Sequence, residues 1–430
     1  MKTLKAYQYR LKPKTNQVTE INQHFGSVRF VKNWAIALRS RYYKRFGKGV
    51  SSRRIQDQLV KKKSLPKWSW LNDVNSQALL SALKDVDTAF TNFFKHGAKY
   101  PRFKKKYDSH QSYSAPQHVA VIGNQVKLPK IGLVDFVQHR QLPEGKIKTC
   151  TISRNATGKY HISILLEREQ NEVIPAIVDA DQTIAGDLGI SHFLTLSDGS
   201  KIDNPRFLQT SLAKLRKEQR KLSRMTKTSK RRAKQKRKVA ILHEKVANAR
   251  KDFHHQITNR IAVKNHATTY IGEDLAVSNM IKNPKLSRHI ADVAWGMFDN
   301  FLSYKMKEQG KNYLKIDRFA PSSKTCTHCG HIHKELKLSD RVFTCPSCGQ
   351  SEDRDYAASV NIKRFGLQQY SEQAGIVCNV KCSPLAKRAR TRAGAVIAKR
   401  LRGAFATQSS SYTNGSLEAH TRVGTPTWWE

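Results

Sequence analysis

Acidic residues are scarce in this chain: 33 Asp and Glu stand against 78 Lys and Arg, a formal net charge of +45 over 430 residues. Such an excess repels itself in a compact fold, which argues against a small-molecule enzyme and for a polyanionic partner, nucleic acid. An ordinary solvated surface is the weaker account, because normal surfaces intersperse both signs. Long apolar runs are missing too. None approaches the ~18 residues that a membrane span needs, and Met1-Lys2-Thr3-Leu4-Lys5 leads into charged sequence without a signal-peptide apolar stretch. The expected setting is a reducing cytoplasm, away from membranes. Cysteine is sparse, seven in all. In a reducing compartment, four of these in two CxxC pairs read as metal ligands, not disulfides. Enough remains for real cores: 39% of residues are hydrophobic and 9% aromatic. The length suits two to four domains.

Residues 1–15 alternate as an edge or barrel strand through Leu4, Ala6, Tyr7, Tyr9 and Leu11, stopped at Pro13. From about 16 to 97 the period turns helical. Leu79, Leu80, Leu83, Val86, Phe90, Phe93 and Phe94 form an apolar stripe that reads as helical core. Residues 98–170 return to short strands separated by turn signals such as Gly123-Asn124 and Thr157-Gly158. This layout predicts a split β-barrel (1–15 and 98–170) with a helical insertion at 16–97. Within it, Arg102, Lys104, Lys105 and Lys106 interleave with Tyr100 and Phe103, a pattern suited to a groove that tracks a nucleic-acid backbone.

A hairpin is expected over 182–200. A helical arm follows at about 205–262, drawn as two helices of about 20 residues with a basic run near their junction. Lys230, Arg231, Arg232 and Lys234 lie in that run as candidate phosphate contacts. A solvated helical hairpin is the plain alternative. From 367 to 430 periodicity fades among basic clusters, and this tail is expected to be mobile. Cys378 and Cys382 have no ligand-spaced partners there; Cys150, before a strand, reads as a small buried hydrophobe.

Cys326-x-x-Cys329 and Cys345-x-x-Cys348 are separated by fifteen residues, the spacing of a structural zinc site. Each pair forms a knuckle that aims two thiolates at one tetrahedral Zn²⁺, with Gly330 and Gly349 supplying the turn. Four thiolates close the site, so this zinc is structural, and His328, His331 and His333 read as exposed neighbours.

Phosphodiester hydrolysis can be run by two Mg²⁺ ions about 3.5–4 Å apart, held by carboxylates from different segments. Three candidates stand out, each with an ordinary alternative. Asp187 ends an apolar run bracketed by Gly186 and Gly189, where a buried charge calls for a cation; it could equally be a turn residue. Glu273 follows Thr269-Tyr270-Ile271-Gly272 and could be a polar strand end. Asp355 precedes a short helix, where an N-cap is the usual role for Asp.

Taken together with Tyr9-Arg10-Leu11-Lys12-Pro13, Pro101-Arg102-Phe103-Lys104-Lys105-Lys106, Gly186-Asp187-Leu188-Gly189-Ile190, Gly272-Glu273-Asp274-Leu275, Pro321-Ser322-Ser323-Lys324-Thr325-Cys326 and Asp353-Arg354-Asp355, the chain resembles the TnpB (OrfB) proteins of insertion sequences. These are similar to the compact type V CRISPR effectors. The resemblance runs from about residue 5 to 366. It implies an α/β multidomain protein in which a RuvC-like (RNase H-like) nuclease domain, 180–321 and 351–366, carries an inserted zinc ribbon at 322–350. The split barrel would precede it. It places the catalytic, Mg²⁺-holding acids on Asp187, Glu273 and Asp355, with Asp353 the near competitor for the last. It further implies a guide RNA from the transposon end, double-stranded target DNA beside a short adjacent motif, and a monomer in complex with RNA. One departure is visible: the family usually has Asn two residues after the third acid, and here Ala357 stands there. A catalytically silent RNA-guided binding protein and a guide-independent accessory DNA-binding protein of transposition stay open as alternatives.

Overall fold

Side chains on a strand alternate between two faces, so a strand over a helical layer must bury every second residue. Strand β1 (Lys2–Lys12) buries Tyr7, Tyr9 and Leu11. That odd-numbered set leaves Ala6 and Leu4 pointing outward, the latter 61% exposed. The computed structural model describes residues 2–169, 173–337 and 339–374.

After β1 come three helices: α1 (Thr15–Phe46), α2 (Ser52–Ser64) and α3 (Ser76–Lys95), with a 3₁₀ turn at Pro66–Asn72 between the last two. Helix α3 buries Leu79, Leu83, Val86 and Phe90 as its stripe demands. Phe94, one turn beyond Phe90 and stacked on its ring, is 73% exposed where the helix ends. Six strands follow: β2 (Gln111–Ala115), β3 (Ala120–Ile122), β4 (Gln125–Leu128), β5 (Gly132–Val137), β6 (Lys146–Arg154) and β7 (Tyr160–Glu169).

With β1 they form an antiparallel sheet in the order β2-β6-β7-β1-β5-β4-β3. A β2–β3 ladder, which would close the barrel, is not among the pairings of the described residues. The helices and this sheet share one hydrophobic core, from Tyr7 and Ile152 to Phe25 and Leu79. Cys150 is fully buried in it, as expected.

A second sheet begins with the meander β8 (Thr183–Asp187), β9 (His192–Leu196) and β10 (Lys201–Asp203). The arm follows as α4 (Phe207–Ser223) and α5 (Lys230–Asn259), the latter running into a π-helical turn at Arg260–Lys264. The two helices are unequal, 17 and 30 residues, and the basic run lies beside their junction, mostly in the first turns of α5. β11 (Thr269–Gly272) enters the sheet parallel to β8. Short α6 (Val277–Met280) and α7 (Ser287–Val293) then lead to α8 (Trp295–Glu308) and β12 (Asn312–Lys315), which is parallel to β11.

The order is β10-β9-β8-β11-β12, three antiparallel strands followed by two parallel ones. Helices α5 and α8 cover one face through Phe193, Ile257, Tyr270 and Phe298. Helix α9 (Arg354–Ala374) covers the other through Ala185, Ile271, Ile362 and Leu367. Between β12 and α9 lie the cysteine knuckles and a small hairpin, β13 (Val342–Thr344) with β14 (Ser351–Asp353). The expected tail start at 367 is too early: α9 continues to Ala374, with Leu367 and Ser371 buried. Residues 375–430, with Cys378 and Cys382, lie outside the described residues. No described helix is long and apolar enough to cross a membrane.

Candidate active site and metal centre

The pleat decides where the acids point. Ala185 and Ile271 face α9, so Asp187 and Glu273, two residues on, turn to the same side. Register aligns them, because Gly186 pairs with Gly272 across the parallel β8–β11 ladder. Asp355 stands in the first turn of α9, which packs across β8, β9 and β11. Three residues spread over 168 positions, 86 and 82 apart in turn, thus meet at one end of the sheet.

Their charges act on one another. Burial, then the neighbouring Glu273 and Asp355, push the Asp187 carboxyl well above the usual carboxylate range, with Arg354 opposing in part. Burial also raises Glu273, while the Ser322 hydroxyl donates to its Oε1 at 2.8 Å and opposes the shift. Such a cluster is stabilised in its ionised form by a cation. Among the described residues, the acids do not form a group of three whose oxygens all lie within 4.8 Å of one another.

Asp353 has other work. It is the helix cap, accepting from Tyr356 N at 2.9 Å, and it pairs with Lys201 at 2.8 Å. The ordinary role considered for Asp355 therefore falls on its neighbour. Ala357, two residues after Asp355, is 1% exposed on α9.

The glycines around Asp187 are steric necessities. A Cβ at Gly186 would lie 2.5 Å from the Tyr270 hydroxyl and 2.6 Å from Leu194 Cδ1. At Gly189 it would lie 2.8 Å from the His192 carbonyl oxygen. Gly366 likewise lets α9 sit directly on Ile271 of β11.

The four cysteines converge. Cys326 Sγ lies 3.7 Å from Cys348 Sγ, and Cys329 Sγ lies 3.6 Å from Cys345 Sγ. Sulfurs about 2.3 Å from a tetrahedral Zn²⁺ would sit about 3.8 Å apart, so the four thiols fit that ion as they stand. Gly330 and Gly349 adopt φ values of 75° and 73°, the left-handed turn each knuckle requires. His328 and His331 are exposed; His333 is half-buried, its ring edge-on to Phe343.

Of the basic candidates, Arg102, Lys104, Lys105 and Lys106 are all exposed. Asn33 of α1 fixes their loop by a pair of hydrogen bonds with the Lys104 backbone, 2.8 and 2.9 Å. A cleft of about 150 Å³ beside it is lined by Arg29, Lys32, Lys104 and Lys105. Lys230, Arg231 and Lys234 are exposed at the start of α5. Arg232 differs: its guanidinium donates to the Leu222 and Met225 carbonyls at 2.5 and 2.8 Å, closing the end of α4. It is a structural clasp as much as a cation.

Several residues escaped the sequence reading. Arg237 donates to the Thr157 carbonyl, and Glu244 accepts from Lys159 and Asn155, so the arm is docked on the β6–β7 turn. Lys315 and Arg318 line a cleft of about 360 Å³ beside Glu273, paired with Asp299 and Asp274. Each partner lies on a different element, 16 to 89 residues away, a separation that leaves no local pattern to read.

Comparison with known proteins then decides the family. The sequence matches the OrfB_IS605 family, described as "Probable transposase", over residues 162–284, and the Cas12f1-like TNB domain over 295–362. A Streptomyces pristinaespiralis protein named "Putative RNA-guided DNA endonuclease" is 37% identical over 366 residues, covering 84% of this chain and 89% of that one.

This chain belongs to the TnpB family.

An Escherichia coli K12 TnpB-type relative, InsQ, carries the same descriptive name and is 34% identical over 383 residues, 85% of this chain and 93% of its own. The fold of this TnpB protein also resembles the effector in a Cas12f1–sgRNA–target DNA complex solved by cryo-EM. The TM-score is 0.52 at 14% identity, with 84% and 99% of the two chains covered. A helix-turn-helix family model matches residues 1–48; here that span is one strand and one uninterrupted helix.

Proposed function

We propose that this TnpB-family chain is an RNA-guided DNA endonuclease whose catalytic carboxylates are Asp187, Glu273 and Asp355. The observation that carries the reading is their convergence at the ends of two parallel strands and the first turn of α9, with Asp187 raised by the other two. The strand order, an antiparallel meander followed by parallel β11 and β12, supports a RuvC-like (RNase H-like) domain. Names of the relatives point the same way.

In this reading the three carboxylates hold Mg²⁺, which when bound supplies activation of water and stabilisation of the leaving oxygen. The chain's own part is to fix and shield the acids. Tyr270 and the glycines pack beneath Asp187, and Ser322 orients Glu273. Lys315 and Arg318 bring positive charge to the adjoining cleft, where a phosphodiester backbone would be held. The knuckle cysteines bind a structural Zn²⁺.

The seven-stranded sheet acts as the split barrel and α1–α3 as the recognition helices, with the 102–106 loop and the start of α5 contacting nucleic acid. The guide RNA, from the transposon end, pairs with one strand, and the protein reads a short adjacent duplex motif. The complex works as a monomer on cellular DNA.

The test is to purify the protein from cells, sequence any RNA that accompanies it, and offer duplex DNA matching that RNA's 3′ end. A discrete RNA and Mg²⁺-dependent cutting that follows a change of guide sequence are expected. Bound RNA without cutting would make the chain a silent binder, and no discrete RNA would remove the guide.

A further inference from the structure

The root of the zinc knuckles is fastened to the carboxylate cluster by two side chains, Ser322 and Asn361. Ser322 opens the 3₁₀ turn Ser322–Lys324 and is 5% exposed. Its hydroxyl donates to Glu273 Oε1 at 2.8 Å. Asn361, fully buried on α9, donates to the carbonyls of Ser322 and Thr325 at 2.9 and 2.6 Å. Thr325 in turn donates to the Pro321 carbonyl at 2.8 Å, closing the turn on itself. The next residue is Cys326, the first thiolate of the knuckles.

Arg354, beside Asp355, grips the other side, donating to the Lys337 and Asp340 carbonyls at 2.8 and 3.2 Å. One continuous path of buried contacts therefore runs from the sulfurs to Glu273, and from the same turn to the helix that carries Asp355.

We infer that Ser322 and Asn361 are positioning residues through which the zinc-bound knuckle holds Glu273 in place against Asp355. The inference rests on the carboxylate reading above. Ser322 fixes one oxygen of Glu273 and leaves the other free to meet a cation. It cannot turn away, because its backbone is held by Asn361 and its turn by Cys326. Loss of zinc frees the turn, and Glu273 loses the donor that orients it. Outer partners of this kind commonly alter metal affinity by about 10–100-fold.

The experiment uses the full chain with its bound RNA and replaces Mg²⁺ by Fe²⁺ with ascorbate and peroxide. A bound Fe²⁺ then cuts the polypeptide next to its ligands, which gives an affinity that depends neither on DNA cleavage nor on ions held by the RNA. Wild type should be cut near residues 187, 273 and 355. Ser322→Ala should need about tenfold more Fe²⁺ for half-maximal cutting, with zinc content and melting temperature unchanged, and Ser322→Thr should restore the wild-type value.

Asn361→Ala should act in the same direction. Withdrawing zinc from the wild type with a chelator, which is then removed before Fe²⁺ is added, should weaken the Fe²⁺ cuts in step with zinc loss, a result that needs no substitution to fold. Unchanged Fe²⁺ dependence in Ser322→Ala, or after zinc loss, would overturn the inference while leaving the carboxylates in place. If Glu273→Gln and Asp187→Asn leave the cuts untouched, the carboxylate reading fails first and takes this inference with it.

Discussion

His254 shows how much a single side chain can hold in this fold. It sits on α5, fully buried among Phe193, Phe253 and Phe298, at the contact between the arm and the second sheet. Burial lowers its pKa to about 4. In the unfolded chain it titrates near 6.5. Between those values the unfolded state takes up a proton that the folded state refuses, so stability is lost as pH falls from about 6.5 to about 4. The total is about 3 kcal/mol, roughly half of it lost by pH 5 to 5.5. His254→Leu should therefore lose less melting temperature than wild type between pH 7 and pH 5; equal losses would place the acid sensitivity elsewhere. At the same scale, Asp187 and Glu273 were candidates in the sequence because an acid ending an apolar strand beside glycines is costly unless a cation answers it, and the family resemblance singled them out. Ser322 and Asn361 were not, since their partners lie 49, 39 and 36 residues away.

Among the elements, the arm departs furthest from its sequence outline. Period and charge foretold two helices, yet their unequal lengths follow from Ser229, which caps α5 by accepting from Arg232 N at 3.1 Å and starts it within the basic run. Lys230, Arg231 and Lys234 then project from the first turns, while Arg232 folds back on α4. Neutralising the three exposed cations to Gln should lower the slope of log binding constant against log salt for RNA by about 2 units, at about 0.7 per phosphate contact. An unaltered slope would make this end of α5 a solvated face. The β1 strand teaches the opposite lesson about register. Its alternation was visible, but Leu4 and Tyr7 cannot share a face, and only the packing against α1 decided for Tyr7.

At the scale of the molecule, the charge of +45 was the plainest signal in the sequence, and the TnpB family accounts for it through a polyanionic partner. The zinc knuckles were legible from spacing alone, because two CxxC turns have few ways to place four sulfurs. The shared core of α1–α3 and the first sheet was not, because a change of period marks a change of element and says nothing of who buries whom. What unites the whole is one end of the second sheet, where β8, β11 and α9 deliver three acids and the knuckle root reaches in beside them.

The most direct test is a rate measurement on RNA-programmed cleavage of matched duplex DNA with Asp187→Asn, Glu273→Gln and Asp355→Asn, which remove charge and keep shape. Each should slow cutting by at least about a hundredfold in saturating Mg²⁺ while RNA and DNA binding stay unchanged. Near-wild-type cutting by any one of the three would contradict the three-carboxylate site.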